Sequence, residues 1–462
     1  METAAAETGT PRRCLSLMDA IAIIVGIVIG SMIFKAPSWV AGNSPTVGHF
    51  IGFWVLGGVI SLIGALCYAE LAAAYPNAGG DYHFLTRAYG PSVGFLFAWA
   101  RLAVIQTGSI AIQAFVIGDY ASKVLNLGSA SPAIYAAAVV VVLTTVNVIG
   151  LREGKWTQIV LTVCEVLGVL LLIVAGFYLA SSRGTIDAPA STGTTGFSLG
   201  AMGMAMVFVL LTYGGWNEAA YLSAEVRSKR GIAAALFWSI GIVTAVYVLA
   251  NLAMVMGLGL EGVAKSSAVA ADLLGSAFGE AGLILISVIV CLAALSTANA
   301  TIFTGARTNY ALGRDFPLLG RLGQWEDRGN TPANALIVQG FISLALVLLG
   351  GITPSGFAAM VEYTTPVFWF FFLLAACSLV VLRVREPNAP RPFRVPLYPV
   401  TPLLFIAACA YMLYSSVMYT GVWALVGLAV LAAGVPLLLV ARNGSSMTQL
   451  QQQGLEPQQV SS

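Results

Sequence analysis

Twelve stretches of this chain stay apolar for about the 20 residues a helix needs to cross a lipid bilayer. They lie near 17–42, 47–75, 92–124, 132–150, 155–180, 198–223, 231–258, 281–312, 332–351, 357–383, 397–418 and 421–441. Such a chain cannot solvate a globular surface. Only 9% of its 462 residues are charged and 58% are hydrophobic, whereas soluble domains carry roughly 25% charged residues. Mean hydropathy is +0.87. The bilayer is therefore the expected solvent, and the fold class is an all-α integral membrane protein, read as one bundle of spans. The runs from 92 and 281 exceed one crossing, which implies tilt or extension past the membrane.

Lys and Arg set the expected orientation, because cytoplasmic loops carry the excess of positive charge. With the N-terminus inside and spans alternating, all of the 22 Lys and Arg except Lys35, Arg101, Lys123, Arg183 and Lys265 fall on the inner side. Both termini are thus expected in the cytoplasm, and the cytoplasmic (plasma) membrane is the expected location. Residues 1–15 read as a short cytoplasmic segment without a signal-peptide cleavage site. Gln- and Ser-rich residues 443–462 read as a disordered cytoplasmic tail. A net charge of +2 gives no field for nucleic acid. Two His and the scattered Cys14, Cys67, Cys164, Cys291, Cys377 and Cys409 make no metal or cofactor site, and the cysteines read as free thiols.

Two spans are interrupted. The first holds Gly26-Ile27-Val28-Ile29-Gly30-Ser31-Met32-Ile33-Phe34 and then Pro37; the sixth holds Leu211-Thr212-Tyr213-Gly214-Gly215-Trp216-Asn217-Glu218. They open the two halves of a five-plus-five division. Interrupted segments at matching places in two halves point to a transporter site built from inverted repeats. Exposed N–H groups at a half-helix start attract a carboxylate, while freed carbonyls accept an ammonium. An amino-acid zwitterion fits that pair of features. For Gly26 and Gly30 alone, close helix packing through a GxxxG motif is the competing reading. Trp216 alone reads as packing.

The Gly26–Phe34 segment resembles the first-helix signature of the amino acid–polyamine–organocation permeases. Pro76-Asn77-Ala78-Gly79-Gly80-Asp81-Tyr82 is similar to their first cytoplasmic loop. Residues 213–217 with Glu225-Val226 resemble their sixth helix and its exit, especially in the L-type amino acid transporter branch. Gly305-Ala306-Arg307 and Tyr310–Asp315 resemble the end of the eighth helix, and Arg391–Pro399 the loop before the eleventh. The matches run in order from about residue 16 to about 418. The resemblance implies a LeuT-like fold of twelve helices, in which two five-helix inverted repeats (about 16–181 and 198–385) precede two extra helices (about 397–441) in a transporter domain over 16–442. It implies alternating-access amino-acid transport, by uptake or exchange, with the carboxylate on the amides of Ser31 and Met32. The ammonium would meet carbonyls near Val28, Leu211 and Gly214. Ile29, Gly30, Tyr213, Gly215 and Trp216 complete the expected site.

This sequence departs from the family pattern at three points. Met32 stands where glycine is usual, and its thioether either narrows the pocket or packs away from it. Leu211 takes the place of an aromatic gate. Glu165 sits mid-membrane in the fifth span, where many relatives carry lysine. A buried carboxylate needs a proton or a cation. Glu165 is therefore expected to be a protonation site coupled to transport, a static partner of Arg101 in the third span, or simply held protonated. Ser296 and Thr297 of the eighth span are candidates for ion coupling or, on the plainer reading, helix–helix hydrogen bonding. The alternative function is an exporter or carrier of amines, polyamines or other organic cations. No Walker A motif, HExxH motif or Ser/His/Asp set supports an ATPase or a membrane enzyme. The amino acid and the lipid bilayer are the expected partners. No outer cysteine is evident for a heavy-subunit disulfide, so no obligatory partner subunit is expected.

Overall fold

The computed structural model describes residues 17–77, 80–150, 155–183, 198–218, 231–326, 331–418 and 421–440. Among the described residues, ten helices are long and apolar enough to cross a membrane: 47–74, 91–124, 131–149, 163–182, 233–265, 269–314, 333–351, 356–385, 400–418 and 422–440. They correspond to the second to fifth and seventh to twelfth expected spans. Absent from this set are the two spans whose sequences carry internal breaks. The expected termini, the Glu225-Val226 exit and Cys14 lie outside the described residues.

Interruption divides the first span into α1 (Leu17–Val28) and α2 (Ala36–Gly42), joined by a 3-10 turn at Ser31–Phe34. Gly30 before that turn is extended (φ −125°, ψ 178°). Next come α3 (Val47–Ala74), the short α4 (Asp81–Tyr89) and α5 (Pro91–Ala100). A π-helical turn at Arg101–Ile105 leads into α6 (Gln106–Val124). The half is completed by α7 (Ser131–Ile149) and α8 (Lys155–Arg183). The sixth span begins as α9 (Leu199–Thr212), capped by the Ser198 hydroxyl accepting from the Ala201 amide. It stops at Thr212 and turns through Tyr213, Gly214 and Gly215 into a 3-10 turn at Trp216–Glu218. Gly215 has φ +105°, a backbone region that costs a residue with a Cβ.

Then follow α10 (Gly231–Lys265), α11 (Val269–Asp315), α12 (Ala333–Gly351), α13 (Gly356–Arg385), α14 (Val400–Met418) and α15 (Val422–Ala432). The length of α11 has a simple cause: a non-helical Gly279 (φ 67°) separates a short helix from the eighth crossing. α10 bends in the same way at Gly259.

Helix pairing follows a five-plus-five rule. α3 packs on α10, α6 on α11 and α7 on α12, so the second, third and fourth spans each meet their own counterparts. The α1–α10 contact mirrors α9–α3, and α8–α11 mirrors α13–α6. Large apolar side chains on the bundle's outside, such as Val141, Val142, Phe341, Leu348, Leu403 and Leu404, stay exposed. Lipid solvates such a surface and water does not.

Candidate functional site

The site grows out of the two helix breaks. The amides of Ser31 and Met32 start the 3-10 turn, and neither has a backbone acceptor among the described residues. The Ser31 hydroxyl donates to Gln113 Oε1 of α6 and is fully buried. Met32 is 7% exposed and belongs to the main apolar core.

The two breaks meet. A Cβ on Gly215 would sit 3.1 Å from the Ile27 carbonyl oxygen. Tyr247 of α10, fully buried, places its hydroxyl 2.7 Å from the Val28 carbonyl and 3.3 Å from the Thr212 carbonyl. One phenol therefore bridges the carbonyl ends of both unwound segments. Tyr213 donates to the Trp54 carbonyl (2.9 Å) and stacks edge-on against Tyr247 at 5.1 Å. Leu211 and Gly214 are half-buried, and Ile29 is buried. Trp216 packs edge-on against Tyr68 at 5.3 Å and near Phe372 and Phe405, which closes the bundle below the breaks with aromatic rings.

The coupling candidates are more scattered. Glu165 is 6% exposed, and its Oε1 has no hydrogen-bond partner among the described residues. Among the described residues no ion pair joins it to Arg101, so the static pair read from the sequence is corrected. Arg101 lies in the π-helical turn, 3.4 Å from Gln106 Oε1 and over the Phe97 ring at 5.9 Å. Thr297 returns its hydroxyl to the Ala293 carbonyl of its own helix, and the neighbouring Asn299 accepts from Asn147 of α7 at 2.6 Å. Only the Asn147–Asn299 bond links two helices; the Thr297 bond stays within its own. Ser296 is buried at 8% exposure.

Two charged clusters flank the site. At the arginine-rich end, fully buried Glu70 of α3 accepts from Arg383 through both oxygens and from the Val395 amide (2.6 Å). Arg391 stands 3.6 Å away. Arg87 forks onto Glu386 with two 2.9 Å bonds and holds that carboxyl below its ordinary range. At the opposite end, Lys35 pairs with Asp119 of α6 under a cavity of about 480 Å³. Sequence reasoning missed Tyr247, Gln113 and the Lys35–Asp119 pair. A tyrosine or glutamine in an apolar helix carries no local signal of what it will reach.

The geometry agrees with what this chain resembles across its length. The family described as amino acid permease matches residues 15–439. The human b(0,+)-type amino acid transporter 1 is 31% identical over 426 residues, covering 90% of this chain and 85% of the relative. The mouse large neutral amino acids transporter small subunit 2 is 30% identical, with 91% and 80% covered. The human cystine/glutamate transporter is 28% identical, with 92% and 84% covered. Matches of this extent, over a bundle whose first and sixth spans break where their glycines fall, mean that the chain belongs to the amino acid permease family and is a secondary transporter of amino acids.

Proposed function

We propose that the substrate is a zwitterionic amino acid held between the two breaks. Its carboxylate sits on the Ser31 and Met32 amides, and its ammonium among the carbonyls of Val28, Leu211 and Gly214. The observation that carries this reading is the bridge made by Tyr247, which reaches carbonyls of both unwound segments at once. A carbonyl has two lone pairs, so Val28 can accept from Tyr247 and from an ammonium together. Gln113 orients Ser31 from α6. Movement of α1 and α9 with α3 and α10 against α6, α7, α11 and α12 would then expose the site to each side in turn.

Glu165 is the coupling residue in this account. A buried carboxylate oxygen without a hydrogen-bond partner among the described residues is costly, so Glu165 binds a proton in the fifth span. The protein sits in the cytoplasmic membrane with both termini inside, as its Lys and Arg distribution favours. It works without a partner subunit. The mouse relative's name marks it as a small subunit, but Cys67, Cys164, Cys291, Cys377 and Cys409 of this chain all lie within helices as free thiols.

The test is a panel of radiolabelled zwitterionic, cationic and anionic L-amino acids in proteoliposomes, with internal substrate, pH and sodium varied separately. Uptake or exchange of zwitterions that decarboxylated amines do not inhibit is expected. Preferential competition by amines would favour a cation carrier instead. Glu165→Gln is expected to keep exchange and lose accumulation driven by a pH gradient. Full gradient-driven accumulation by that variant would end the coupling role.

A further inference from the structure

The cavity of about 480 Å³ lies above Lys35, between the loops that follow the first, third, seventh and ninth spans. Lys35 closes the 3-10 turn of the first break and is 4% exposed. Its ammonium touches the Asp119 carboxylate and the Ser267 carbonyl, and stands 5.3 Å from the centre of the Phe357 ring. A lysine ammonium has three N–H donors, and a carboxylate has about four acceptor positions. Both groups line the cavity; Asp119 and Ser267 take two of the three Lys35 donors and leave one, and the pairing leaves Asp119 acceptor positions to spare. Lys265, the remaining charged residue in the lining, is turned onto Glu261 of its own helix. The cavity floor therefore offers one fixed cation and one fixed anion side by side. Trp39, Phe115, Pro132 and Pro354 supply apolar wall.

We propose that this floor is a second binding site for zwitterionic α-amino acids. The substrate carboxylate takes the spare Lys35 donor, and its ammonium takes the spare Asp119 oxygen. The four charges then alternate around a square, and no charge is left unpaired. Apolar side chains lie against Trp39 and Phe115, and longer ones project toward the mouth. Lys35 is four residues beyond Ser31, about 8 Å along a 3-10 turn at about 2.0 Å per residue. A carboxylate held at Lys35 is thus one short step from the Ser31 and Met32 amides. A molecule with an amine and no carboxylate gains nothing from Lys35 and meets its positive charge.

The proposal rests on the central site described above, and the test separates the two. Equilibrium binding is measured on the purified full-length protein in lipid nanodiscs, with each radiolabelled zwitterion of the transport panel tested separately. Wild type is expected to bind two molecules per chain. Lys35→Met/Asp119→Leu, which replaces a largely buried pair by apolar groups and should fold, is expected to bind one, with the remaining affinity unchanged. Lys35→Arg keeps the charge and is expected to retain both. One molecule per chain in wild type and double variant alike would overturn the second site and leave the central one standing. No binding in wild type would overturn both.

Discussion

At the scale of single residues, the account turns on Tyr247. Its buried hydroxyl reaches two carbonyls, Val28 and Thr212, that accept from no backbone amide among the described residues. Removing one partner of a buried hydrogen bond costs about 1–3 kcal/mol. Tyr247→Phe is therefore expected to lower transport efficiency by about tenfold to a hundredfold, since about 1.4 kcal/mol is a factor of ten. Uptake corrected for surface expression checks this, and unchanged efficiency would remove Tyr247 from the site. Glu70 makes a different case. It holds Arg383, Arg391 and the Val395 amide from a fully buried position. Glu70→Ala leaves those donors facing nothing, and breaking a buried pair this way costs about 3–5 kcal/mol. A lower melting temperature in detergent is the expected readout. The exposed Arg87–Glu386 fork contributes far less. Because Glu386 is held below the ordinary carboxylate value of 4.5, its stabilisation is present above that value and lost as pH falls through the depressed one. Melting curves of wild type and Glu386→Gln should differ slightly near neutrality and converge in acid.

At the scale of elements, the two broken spans decide the architecture. Gly215 has φ +105°, and a Cβ there would approach Ile27 to about 3.0 Å. Gly215→Ala strains the turn and pushes the two breaks apart. It is expected to abolish transport while leaving the other spans folded, which uptake measured beside surface expression would show. These breaks were legible in the sequence because glycines and polar residues interrupt otherwise unbroken apolar runs at 26–34 and 213–217. The ten continuous spans were legible from length alone. Partnerships were not. Lys35 finds Asp119 after 84 residues, and Glu70 finds Arg383 after 313. Sequence gives a side chain's depth along a helix but not which way the helix is turned. That is why Arg101 and Glu165 looked like partners, while no ion pair joins them among the described residues.

At the scale of the whole molecule, one arrangement serves both stability and transport. Paired spans from the two halves pack on their counterparts and form a scaffold. The two interrupted spans cross it, with the Ser31 and Met32 amides lacking a backbone acceptor among the described residues. A rigid frame around two half-helices lets the middle open without losing the bundle's core. Ion clusters tie off both ends, Lys35–Asp119 at one and Glu70–Arg383 with Arg87–Glu386 at the other. A carrier that alternates must release these ends in turn, because simultaneous opening would leave a channel.

The most direct test is a cryo-electron microscopy map of the protein in nanodiscs, with a saturating mixture of zwitterionic L-amino acids. Density for one molecule between the Ser31 and Met32 amides and the carbonyls of Val28, Leu211 and Gly214 is the expected result. Helical hydrogen bonding running unbroken through 26–32 and 211–216, with no density between the two spans, would contradict it.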